Sequence, residues 1–167
     1  NILFRVETID GRYPTLDDGI SWPSIFSNYD LNSIHNGYLF LKKKNPLFKP
    51  KEMISIRTVQ IGFGQSIAVP SDDIVFVKIK FKKTFLGRLA TLIFKTTNVF
   101  VKIKTQDGGK YTYRLIPRMT ETGFYLSPLI RGNEEILNLY ADRPTPANAV
   151  TSLELQTNHP GWFWKKD

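Results

Sequence analysis

The chain has 167 residues, 41% of them hydrophobic and 13% aromatic, which suits one domain with its own core and excludes a disordered segment. It contains no cysteine, so disulfides, thiolate zinc sites and cysteine nucleophiles are all excluded. A formal net charge of +8 favours an anionic neighbour such as nucleic acid, a lipid headgroup surface or an acidic glycan, and serves solubility equally well.

Ile2, Phe4 and Val6 alternate with Leu3, Arg5 and Glu7, which predicts a first strand closed by Asp10-Gly11. Pro14, Asp17-Asp18-Gly19 and Trp22-Pro23 mark an irregular stretch, and the density of Asn, Asp, Ser and Gly over residues 28–37 reads as loop. A short strand is expected at Tyr38-Leu39-Phe40-Leu41, ending in Lys42-Lys43-Lys44-Asn45-Pro46. Two further strands are expected over residues 53–61 and 66–69, the first with a bulge near Thr58 where its phase slips.

Residues 74–82 carry a clear period of two. Val75, Val77, Ile79 and Phe81 fall on one side, and Lys78, Lys80 and Lys82 on the other. Residues 84–95 read as a helix with Leu86, Leu89 and Ile93 on one face, although Thr91-Leu92-Ile93-Phe94 suits a strand equally. Residues 99–116 predict an antiparallel hairpin: Val99, Val101 and Ile103 against Lys102 and Lys104, then Tyr111, Tyr113 and Leu115 against Thr112, Arg114 and Ile116. Asp107-Gly108-Gly109 supplies its turn. Glu121-Thr122-Gly123-Phe124 turns the chain into residues 125–130. Asn133 reads as an N-cap for a helical turn or two ending at Tyr140. Arg143-Pro144-Thr145-Pro146 forbids regular structure, residues 149–157 alternate again, and the chain closes on Trp162-Phe163-Trp164-Lys165-Lys166. Many short alternating segments separated by Gly, Pro and Asp predict an all-β fold. The expected architecture is a β-sandwich, jelly-roll-like, with one or two short helices, as a single domain over residues 1–167.

No motif names a reaction. Gly62-Phe63-Gly64-Gln65-Ser66 lacks the third glycine of a dinucleotide fingerprint, and Ser66 lies outside the glycines, so a turn between strands is the better reading. His35 and His159 have no histidine partner at ligand spacing, and Asp17-Asp18 and Asp72-Asp73 suit turns better than calcium. No metal and no cofactor is expected. A glycosidase would need two carboxylates in one cleft, and no spacing marks such a pair.

The strand lysines are more informative. Lys78, Lys80 and Lys82 share one face, as do Lys102 and Lys104, either as an edge that blocks strand pairing or as a cationic face that meets phosphate or acidic sugar. Arg114 and Arg118 could form an anion site, because guanidinium matches a carboxylate bidentately, or a structural pair with Glu121 or Asp107. Loop aromatics are candidate sugar platforms: Trp22, Tyr29, Tyr38, Trp162 and Trp164 sit near turns, and one of the last two is expected to fill core. Trp22, with Ser21, Ser24 and Asp18 nearby, is the preferred platform.

Tyr113-Arg114-Leu115-Ile116-Pro117-Arg118-Met119, followed by Thr122-Gly123-Phe124-Tyr125-Leu126-Ser127-Pro128-Leu129-Ile130, resembles a pattern from bacterial multi-spanning membrane proteins that carry a soluble β-sandwich outside the membrane. The resemblance also takes in residues 75–86, about the central third of the chain. It implies an extracytoplasmic accessory domain similar to carbohydrate-binding modules, with any catalysis in the membrane-embedded remainder of a longer parent. The start at Asn1 rather than Met agrees with a fragment, no signal peptide is visible, and the longest apolar run, residues 85–94, is broken by Gly87 and Arg88. Expected partners are a glycan or an anionic membrane surface. The alternatives are a basic β-domain that binds nucleic acid or another polyanion, although no nucleic-acid signature is present, and a glycoside hydrolase.

Overall fold

Alternation in residues 99–105 and 110–115 produces the central hairpin of the protein. The structure is a computed structural model that describes residues 1–45, 53–70, 74–88, 97–141, 146–158 and 163–164. Strands are numbered in chain order as β1 (Ile2–Phe4), β2 (Tyr29–His35), β3 (Tyr38–Lys43), β4 (Ser66–Ala68), β5 (Val75–Val77), β6 (Val99–Thr105), β7 (Lys110–Leu115), β8 (Phe124–Ser127) and β9 (Val150–Thr157). Short helices α1 (Trp22–Asn28), α2 (Pro117–Thr120) and α3 (Asn133–Tyr140) and a 3-10 turn (Pro146–Asn148) join them. The protein is all-β and sandwich-like, as its alternating segments lead one to expect.

A four-stranded antiparallel sheet runs in the order β4-β9-β6-β7. Its register places inward residues side by side: Val101 lies between Tyr113 and Leu155, and Ile103 between Tyr111 and Leu153. Such cross-strand neighbours are the units that stabilise a sheet. The pair β5-β8 covers this face, with Phe124 and Leu126 buried and Val75 and Val77 packed on the same core. Phe163 and Trp164 complete it, and Tyr13 donates its hydroxyl to the Leu126 carbonyl at 2.7 Å. The third sheet, β1-β3-β2, closes a second core of Val6, Trp22, Leu39, Leu41, Ile130 and Ile136. Strand β8 serves both cores. Successive side chains point to opposite faces, so Phe124 and Leu126 enter the first core while Tyr125 packs on the second.

Several expectations need correction. Residues 29–35 are strand rather than loop: β2 pairs with β3 through Tyr29↔Lys43, Leu31↔Leu41 and His35↔Tyr38. Asn36 and Gly37, at φ 49° and 76°, make the two-residue turn between them, which positive φ at both positions fits. Residues 53–61 form no strand; Ile54 and Ile56 are 85% and 68% exposed. Their alternation finds no pairing backbone among the described residues, and alternation alone does not make a strand. Strand β5 is shorter than expected, yet the alternation persists beyond it, with Ile79 and Phe81 packed on the core and Lys78, Lys80 and Lys82 exposed. Asn133 is not the N-cap of α3. Gly132 occupies that place, its N–H donating to Glu135 Oε2 at 3.0 Å, while Asn133 accepts from the Val6 N–H and donates to the Gly37 carbonyl. Of the helix expected over residues 84–95, residues 85–88 are helical, and residues 89–95 lie outside the described residues.

Candidate functional site

The outward face of the four-stranded sheet is built by the residues that alternate with the core. On β6 these are Phe100, Lys102 and Lys104. Phe100 stands between Arg114 of β7 and Gln156 of β9. Lys102 stands between Thr112 and Glu154, and Lys104 between Lys110 and Ser152. The face therefore offers one half-exposed ring flanked by a guanidinium and an amide, with cations on the next two rungs. Phe100 belongs to neither core. Gln156 Nε2 donates to Glu154 Oε1 at 2.6 Å, which fixes the amide beside the ring.

A stretch of the N-terminal segment extends the face. Arg114 N–H donates to the Gly11 carbonyl at 2.8 Å, and Tyr13 N–H donates to the Arg114 carbonyl at 3.1 Å. This parallel bridge sets Arg12 next to Arg114. Arg12 is neutralised by Asp17, Nη1 to Oδ1 3.0 Å, with Asp10 at 3.8 Å. Arg114 is half-buried and forms no ion pair among the described residues. The Nε atoms of both arginines are buried without a hydrogen-bond partner among the described residues. Asp107, one of the two carboxylates expected as a structural partner, instead accepts from the Thr105 hydroxyl and from the Gly109 N–H. Those two donors, the hydroxyl foremost, hold its carboxyl below the usual range.

The other expected site residues are scattered. Trp22 is 4% exposed, which removes it as a stacking platform. With Pro23 opening α1, the helix docks with the indole turned inward, edge-on to Phe4 at 5.1 Å, its Nε1–H donating to the Asp17 carbonyl at 3.2 Å. Tyr29 is half-buried against the same core. Trp162 lies outside the described residues, as do His159, Asp72 and Asp73. Arg118 is exposed on α2 and shares no partner with Arg114 among the described residues. Lys78, Lys80 and Lys82 follow β5, which pairs with β8 and not with β6. They therefore form no single cationic face with Lys102 and Lys104. Lys102 also has Glu154 as its cross-strand neighbour.

His35 lies edge-on to Phe40 at 5.6 Å, and among the described residues no group of three or more His, Cys, Asp or Glu could hold a metal ion. Gly62-Phe63-Gly64 is a turn: the Gly62 N–H donates to Gln65 Oε1 at 2.8 Å, and the Gly64 N–H to the Leu155 carbonyl at 2.8 Å. Sequence reasoning overlooked Phe100 and Arg12. Phe100 was visible as the one apolar residue at an outward position of β6. Arg12 gave no signal, because only a long-range bridge brings it to β7. Comparison with family models, with curated proteins and with solved structures gives no match.

Proposed function

We propose that this chain is a non-catalytic binding domain that holds an acidic glycan on the outer face of its four-stranded sheet. One observation carries the reading: Arg114 keeps a half-buried guanidinium, without a carboxylate among the described residues, beside the half-exposed ring of Phe100. A partly dehydrated cation without a counter-charge is costly, and an incoming carboxylate recovers that cost through a bidentate, charge-assisted pair. The ring supplies an apolar surface for one face of the sugar, and Gln156, Thr112 and Lys102 lie within one rung for its hydroxyls. The extracytoplasmic location, the bacterial membrane-protein parent and the assignment of any catalysis to that parent rest on the sequence resemblance alone.

The test is calorimetric titration with an oligogalacturonate and with a neutral oligosaccharide of equal length. The acidic ligand is expected to bind and the neutral one not. Arg114→Lys keeps the charge but loses the fork, so it should weaken binding roughly tenfold with little change in melting temperature. Equal binding of both sugars, or an Arg114→Lys variant that binds like the parent, rejects the reading. A second reading has its own observation: Lys78, Lys80 and Lys82 are all exposed and make no ion pair among the described residues. That row suits a polyanion such as a headgroup surface, and neutralising it should abolish vesicle binding without affecting the sugar.

A further inference from the structure

A cavity of about 120 Å³ opens where α1, β8 and α3 meet, on the opposite side of β8 from the large core. Phe26, Tyr125 and Tyr140 wall it with rings, and Ile130, Leu139 and Ile74 supply aliphatic surface. Phe26 packs tilted on Tyr125 at 5.8 Å and edge-on to Tyr140 at 5.7 Å, so the three rings form one continuous aromatic wall of the cavity. The Tyr140 hydroxyl is buried and has no hydrogen-bond partner among the described residues. A buried polar group without a partner is rare in native proteins and calls for an explanation.

We propose that this cavity binds a neutral, single-ring aromatic molecule bearing one hydrogen-bond acceptor. The size is close to that of an apolar cavity of about 150 Å³ that takes benzene, and this one opens to solvent, so a substituent on the ring can extend from its mouth. The lining fits, because edges and faces of three rings offer the offset contacts that a fourth ring prefers. The hydroxyl can donate to an acceptor: burial, with Asp30 nearby, pushes its pKa up to about 12, so it keeps its proton at neutral pH. The lining residues carry no cation, so burying a charged ligand there would go uncompensated and an anion is disfavoured. The site uses none of the residues of the outer sheet face and stands independently of the glycan reading.

The experiment titrates the intact chain with benzyl alcohol, toluene and benzoate, following the methyl resonances of Ile74, Ile130 and Leu139. Benzyl alcohol should shift them saturably, toluene should do so more weakly, and benzoate should not. Tyr140→Phe should weaken benzyl alcohol roughly five- to tenfold, the worth of one hydrogen bond, and leave toluene unchanged. Leu139→Trp should fill the space and remove both ligands; if that variant fails to fold, the Tyr140→Phe comparison decides alone. Absence of saturable shifts, equal effects of Tyr140→Phe on both ligands, or benzoate binding as tightly as benzyl alcohol overturns the proposal.

Discussion

The two cores share strand β8 and are built in different ways. The larger one is laid down in rungs by β6, β7 and β9, whose inward residues are neighbours by register, and its buried hydroxyl, that of Tyr13, is satisfied by the Leu126 carbonyl at 2.7 Å. The smaller one collects rings from α1, β8 and α3, segments far apart in the chain, and it retains a cavity and a Tyr140 hydroxyl without a partner among the described residues. Register fills space systematically because each strand places its next side chain by the same step. A junction of helix ends has no such step. In this molecule the slack lies at the junction, whereas the rung-built sheet is filled on its inner face and sets Phe100, Arg114 and Gln156 side by side on its outer one.

The strongest way to break this comparison is to truncate Trp22. If the smaller core were a loose accessory, its loss would be minor. Trp22 is 4% exposed and meets Phe4 and Phe26 at 5.1 and 5.8 Å. Trp22→Ala should therefore cost about 3–5 kcal/mol in chemical denaturation, as for a core residue. A loss below about 1 kcal/mol would show that the smaller core contributes little to folding and would reopen the ring as an exposed feature.

Trp22 also shows where the sequence stops being legible. Its neighbours Asp17-Asp18-Gly19 and Pro23 signal a turn, and turns lie at the surface. The indole is nevertheless buried, because Pro23 opens a helix that docks on the sheet. The central hairpin was fully readable, since alternation and turn glycines agree there. Strand β2 was readable in part: Asn36-Gly37 is a strong hairpin signal, but the polar residues before it masked a strand whose outward positions are simply wet. Residues 53–61 failed the other way, with alternation but no partner strand among the described residues. Of the outer face, Phe100, Lys102, Lys104 and Arg114 follow from alternation, while their grouping depends on β9 and on the bridge at Arg12, which are long-range facts.

A pH series tests both cores together. Burial, with Tyr113 beside it, holds the Tyr13 hydroxyl well above its usual pKa, and burial, with Asp30, raises Tyr140 to about 12. In the unfolded chain both lose their protons near pH 10. Between the unfolded and folded values the native state binds more protons, so stability falls with rising pH. The tyrosine contribution should be fully present below about pH 10 and should decline from there through pH 12. Denaturation midpoints measured from pH 8 to 11.5 check this. The Tyr13→Phe, Tyr140→Phe double variant should fall less steeply than the parent, and identical slopes would remove the assignment.

The finest distinction comes from making one substitution in each core. Tyr→Phe deletes a single oxygen and leaves the ring in place. At Tyr13 it breaks the hydrogen bond to Leu126 and leaves a buried carbonyl with one partner fewer. The net cost of such a loss is about 1 kcal/mol, with the orphaned acceptor adding to it. At Tyr140 no partner is lost, because the hydroxyl has none among the described residues. Removing a buried, unsatisfied polar atom relieves its desolvation cost, so Tyr140→Phe should leave stability unchanged or raise it by up to about 1 kcal/mol. Opposite signs in the two denaturation curves would confirm that one core is closed by its own hydrogen bonds and the other is held open. A comparable loss at both positions would mean that a bound water or solvent contact satisfies Tyr140, and the contrast between the two cores would then be one of shape alone.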